Sequence, residues 1–162
     1  LDSSNHFHFI NGCNFILRIM KSKQVLSIDQ MKHLRELGLD TSDASMHWQF
    51  LPTVESFFNG VLALEERPTL FVSQPNMKYE YPAYTLQDIL DKLPPVIKKY
   101  FCLSIRVSEY KKMWHVEYEG AGCLLSYFHL KNLIDAAYEM LCWCVENGYI
   151  GKEGEICRTK FF

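Results

Sequence analysis

The sequence has no run of about eighteen apolar residues, so no stretch of it reads as a membrane-crossing helix. Glycine-rich phosphate loops, a dinucleotide-binding glycine pattern, a nucleophile elbow and paired catalytic carboxylates are missing too, which removes the sequence signatures of the common nucleotide-using and hydrolytic enzymes. An excess of charge is also lacking. Seventeen basic residues against nineteen acidic ones leave a formal charge of -2, and no overall basic field exists to draw in nucleic acid or an anionic membrane. No internal repeat, low-complexity segment or linker divides the 162 residues, a length suited to one domain with its own core. Cys13, Cys102, Cys123, Cys142, Cys144 and Cys157 form an even set without the spacing of a disulfide framework or a zinc site. Reduced thiols in a cytoplasmic protein are the expectation.

What is present is ordinary globular composition, with 48% hydrophobic and 14% aromatic residues. The longest run that keeps one helical period is Asn132 to Ile150. It places Leu133, Ala137, Met140, Leu141, Cys144 and Val145 on an inward stripe, and Asp135, Glu139, Cys142 and Glu146 on the opposite face. Asn132 is placed to cap it by accepting from the Asp135 amide, and Gly148 to stop it. Sixteen helical residues would span about 24 Å, enough to cross a small sheet.

Two shorter helices carry their own start signals. Ser27 with Gln30 opens Ile28 to Leu37, framed by Leu26 and Met31 as a hydrophobic staple and ended by Gly38. Thr85 with Asp88 opens the second, which Pro94-Pro95 terminates. Met46 to Leu51 alternates as a strand ending at Pro52. The stretch with Val54, Phe57 and Phe58 suits a helical turn, although Asn59-Gly60 suits a tight turn between strands. Val61–Leu64 and Thr69–Ser73 read as a hairpin with a charged tip.

From Tyr100 to Tyr118 the period becomes two. The register that keeps apolar residues on one side pairs Ile105 with Val116 and Val107 with Trp114, turning around Glu109 to Lys112. A third strand, Cys123 to Phe128, leads into the long helix. The fold expected is therefore α+β and two-layer, a mostly antiparallel sheet of meander hairpins carrying a long C-terminal helix and two short ones. Residues 1–19 read as a leader foreign to the domain, or as an added strand through Phe7, Phe9, Phe15 and Ile16. Residues 20–150 read as the domain and 151–162 as a loose tail.

The meander register gathers Arg106, His115, Glu117, Ser104 and Cys102 on its other face. A thiol beside an imidazole could serve as nucleophile and base, although no oxyanion hole or orienting third group is evident, and Cys102, His115 and Glu117 are the candidate catalytic residues. The same residues suit a hydrated sheet face with cross-strand ion pairs. Tyr79, Tyr81 and Tyr84 offer an aromatic strip for a partner, and Trp143 a second contact, unless they simply pack. His6 and His8, or His129 with Cys123, do not have metal-ligand spacing, so neither metal nor cofactor is expected.

Three segments carry a resemblance: DQMKHLRELGLDTSDASM at Asp29–Met46, YTLQDILDKLP at Tyr84–Pro94, and LIDAAYEMLCWCVENGYI at Leu133–Ile150. Across about Met20 to Ile150 they resemble a family of small uncharacterised proteins of Bacteroides-type gut bacteria and their prophages. The resemblance implies a cytoplasmic protein of bacterial or phage origin, with no activity attached to any matching residue. The combined expectation is a non-enzymatic accessory or interaction protein, with a protein partner or a homodimer, no membrane, and nucleic acid disfavoured by charge. A small enzyme using the polar sheet face, or a nucleic-acid accessory protein, is the alternative.

Overall fold

Paired caps and alternating strands lay out the chain, of which the computed structural model describes residues 23–52, 66–108 and 112–151. The leader at 1–19, the turn at Asn59-Gly60, the strand at Val61–Leu64, most of the tail, Cys13, Cys157, His6 and His8 lie outside them. Helix α1 spans Ile28–Glu36. Ser27 N donates to Gln30 Oε1 at 3.1 Å and Gln30 N to Ser27 Oγ at 3.3 Å, so two amides with no helical partner are satisfied by each other's side chains. Leu26 and Met31 are both buried, as a staple requires.

Strand β1, Met46–Pro52, pairs antiparallel with β2, Glu66–Val72, from Met46 opposite Val72 to Pro52 opposite Glu66. This corrects the expected hairpin. Glu66, Arg67 and Pro68 lie inside a strand and not at a tip, and the partner is β1. Pro68 fits because β2 is an edge among the described strands, where a missing amide donor costs no ladder bond. Strand β3, Pro82–Ala83, closes the other side of β1.

Thr85 and Asp88 repeat the capping box at α2, Leu86–Lys92, and Leu93 N closes on Ile89 O at 3.1 Å before Pro94. A second sheet follows in the order β4–β5–β6–β7, formed by Val96–Ile97, Phe101–Ser108, Met113–Gly120 and Cys123–Leu130. Ile105 lies opposite Val116, and Val107 opposite Trp114. The α+β architecture is as expected, with its strands divided between a three-stranded and a four-stranded antiparallel sheet.

Helix α3, Leu133–Glu146, packs on β6 and β7 and against α2. Its stop is a backbone device. Gly148 takes φ +71°, while Tyr149 N and Ile150 N both turn back to Cys144 O. Two expectations about α3 fail. Asn132 makes no side-chain cap bond; its amide nitrogen donates instead to Asp135 Oδ2 at 3.0 Å. Cys142 is buried and not on a wet face, because α3 is packed from more than one side, leaving Ile134, Ala136, Tyr138 and Cys142 as covered as Met140 and Leu141. A single inward stripe describes a helix lying on a surface, and α3 lies between layers.

Candidate functional site

The solvent face of the second sheet is built by strand register. Cys102 is opposite Glu119. Ser104, Glu117 and Tyr127 form the next row, and Arg106, His115 and His129 the next. Cys102 and His115 therefore sit two rows apart, about 13 Å along the strands. The thiol and imidazole do not meet, which dissolves the proposed nucleophile and base. Cys123, opposite Gly120, is likewise far along β7 from His129. Among the described residues no cluster of three His, Cys, Asp or Glu side chains could hold a metal ion.

The register does bring other groups together. Arg106 Nε stands 2.6 Å from Glu117 Oε1, with the guanidinium side 57% exposed and the carboxylate 3% exposed. That buried oxygen accepts no in-line hydrogen bond among the described residues, and the charge of Arg106 beside it offsets its burial. The His115 and His129 rings lie 3.8 Å apart at 43°, and Tyr127 follows at 4.9 Å from His129. A guanidinium, two imidazoles and a phenol thus occupy adjacent positions on three strands, a set suited to hydrogen bonding and stacking against a partner.

The tyrosine strip is not a strip. Tyr79 is half-buried, stacked at 3.7 Å and 17° on the buried His47, and its hydroxyl accepts from Gln74 N at 2.9 Å. Tyr81 is half-buried and meets Phe50 edge-on at 5.3 Å. Tyr84 is fully buried, its hydroxyl 2.8 Å from both Asp40 O and Asp43 Oδ1. Burial, reinforced by that bond to Asp43, pushes its phenol far above the ordinary range. It cannot reach a partner without unfolding. Trp143 is half-buried between Tyr118 and Tyr149, at 6.3 Å and 5.2 Å.

One cluster has no sequence signal beyond a four-residue spacing. Tyr138 and Cys142, one turn apart on α3, both meet His33 of α1: the Tyr138 hydroxyl is 2.6 Å from Nδ1, and Cys142 Sγ is 3.9 Å from it. Burial raises the Cys142 thiol to about 11 and that of Cys144 to about 12, so both are neutral thiols rather than nucleophiles. A cleft of about 460 Å³ opens beside Trp114, with Leu86 and Leu133 in its wall and Lys23 and Lys131 at its polar side.

No protein family, curated protein or solved structure matches this chain. No described helix is long and apolar enough to cross a membrane.

Proposed function

We propose that the chain is a non-enzymatic interaction protein that binds a protein partner through its four-stranded sheet. The observation carrying this reading is the set of large apolar side chains that the sheet leaves in water. Leu124 and Tyr127 stand on its solvent face at 48% and 55% exposure, and Val107 and Val96 lie along one side at 51% and 46%. Exposed apolar groups spread over one sheet and its edge, Tyr127 among them and Arg106 beside them, have the composition of a partner-binding surface. The separation of Cys102 from His115 takes support from the enzymatic alternative, which would now have to work through Arg106, Glu117 and the two histidines.

The test is photo-crosslinking in a lysate of the source cells, with a photoreactive residue at position 107 or 127 and the cross-linked peptides sequenced. A discrete partner attached at these positions, and lost on Val107→Asp or Tyr127→Asp with the circular dichroism unchanged, is the expected result. Identical cross-linking profiles for wild type and both variants would sink the reading.

A further inference from the structure

Strand β5 is covered unevenly. On the side away from β6, β4 pairs only with Phe101 and Cys102, and the last bond across that side runs from Leu103 N to Pro95 O at 3.0 Å. Alternate residues of a strand aim their amide and carbonyl to the same side, so Ile105 and Val107 aim theirs where Leu103 does, past the end of β4. Pro95 has no N–H to give, which leaves the Leu103 carbonyl without a strand donor as well. No described strand pairs with Ile105 or Val107 on this edge.

The side chains along this edge carry a pattern. Ile105 and Val107 lie on the helix-bearing face at 37% and 51% exposure, while Arg106 points to the solvent face. Only Nε of Arg106 is engaged, by Glu117, and its two terminal nitrogens have no partner among the described residues. Proteins usually guard an open edge with a charge, a proline or a bulge. Here the one charge is also the one recognition group, since a guanidinium fork accepts a carboxylate side-on.

We propose that the β5 edge from Leu103 to Val107 binds an extended peptide segment of a partner in antiparallel register, apolar opposite Ile105 and Val107 and acidic opposite Arg106. This rests on the reading of the chain as an interaction protein and names the partner's chemistry. The added strand's main chain fills the amides and carbonyls that β4 leaves open, its apolar side chains cover Ile105 and Val107, and its acid completes the fork of Arg106. A second copy of β5 fits less well. The register that sets Ile105 against Val107 also opposes two copies of Arg106, and the register that sets Ile105 against itself needs the position that Pro95 already fills at Leu103.

The probe is the acetylated, amidated peptide Thr-Val-Glu-Val-Thr, titrated into the full chain and read by amide chemical shifts. Binding in the range of about 10–100 μM is expected, with the largest shifts at Ile105 and Val107. Methylating both valine nitrogens, replacing the peptide's glutamate by lysine, or changing Val107→Lys should each weaken it about tenfold or more. No binding at about 1 mM, or binding indifferent to nitrogen methylation, would overturn the proposal. Cross-linked partners lost on Val107→Asp without peptide binding would remove the strand chemistry and keep the interaction reading. Peptide binding with unchanged cross-linking would do the reverse.

Discussion

Cys142 and Cys144 are separated by one residue but share the same fate, because α3 is covered both where it faces Tyr118 and where it faces His33. Burial holds their protons to about 11 and about 12, whereas Cys102 and Cys123 are exposed. The thiolate is the reacting form, so native protein treated with iodoacetamide at neutral pH should be labelled at Cys102 and Cys123 before Cys142 and Cys144. Peptide mapping should show Cys142 and Cys144 protected until denaturant is added. Equal rates at all four would mean that α3 opens locally. A thiol whose folded value is raised stabilises fully below its unfolded value near 9. That stability is lost as pH climbs from there through the folded values. The melting temperature should therefore fall with rising pH in the alkaline range, and Cys144→Ala should flatten the fall.

The β6–β7 connection depends on backbone alone. Ala121 and Gly122 take φ +51° and +76°, two successive left-handed residues as a tight hairpin turn demands, and a β-bulge between Tyr118 and Glu119 adjusts the register just before it. Gly120 matters for a different reason: a Cβ there would lie 1.9 Å from the Tyr100 carbonyl oxygen. Gly120→Ala must push two strands apart and should cost about 3 kcal/mol, while Gly122→Ala, with open space around it, should cost about 1 kcal/mol in backbone strain. Urea denaturation of the two variants separates them, and equal losses would contradict the close approach. Such elements differ in how far the sequence reveals them. Both capping boxes and the β5–β6 register are legible because each is local: a hydroxyl three residues before its partner, or an alternation that only one pairing satisfies. The β1–β2 pairing is not, since it joins residues across an intervening segment, and Val61–Leu64 offers Thr69–Ser73 a nearer apolar partner. A two-residue strand such as β4 has no period to read. The open edge is invisible for the same reason, being defined by where β4 ends. The polar sheet face was half legible: alternation finds its members, but only the register shows that Cys102 and His115 are in different rows.

Helix α3 joins the layers, and its first turn is where a charge network ties the beginning of the described chain to it. Lys23 Nζ stands 2.7 Å from Asp135 Oδ1 and also donates to Gln30, whose Nε2 reaches the same carboxylate oxygen at 3.2 Å. Asn132 donates to the other oxygen. Burial works to raise the Asp135 carboxyl, but the bonds from Lys23, Asn132 and Gln30 together outweigh it, and the net shift is downward from 3.8. A carboxylate lowered on folding contributes stability above its unfolded value, and loses it as pH falls through the folded one. The wild type should therefore lose stability on acidification below about pH 4 more steeply than Asp135→Asn, which at neutral pH should already be weaker by about 1 kcal/mol. Lys23→Met takes both a hydrogen bond and a positive charge from Asp135. It leaves Asn132 and Gln30 as donors, so burial regains influence, the Asp135 carboxyl titrates closer to its unfolded value, and the acid loss becomes shallower than in the wild type but stays steeper than in Asp135→Asn. Denaturation midpoints measured from pH 2 to 7 for the three proteins would show this order. Superimposable acid limbs would mean that the Lys23 contact does not hold α1 and α3 together in solution.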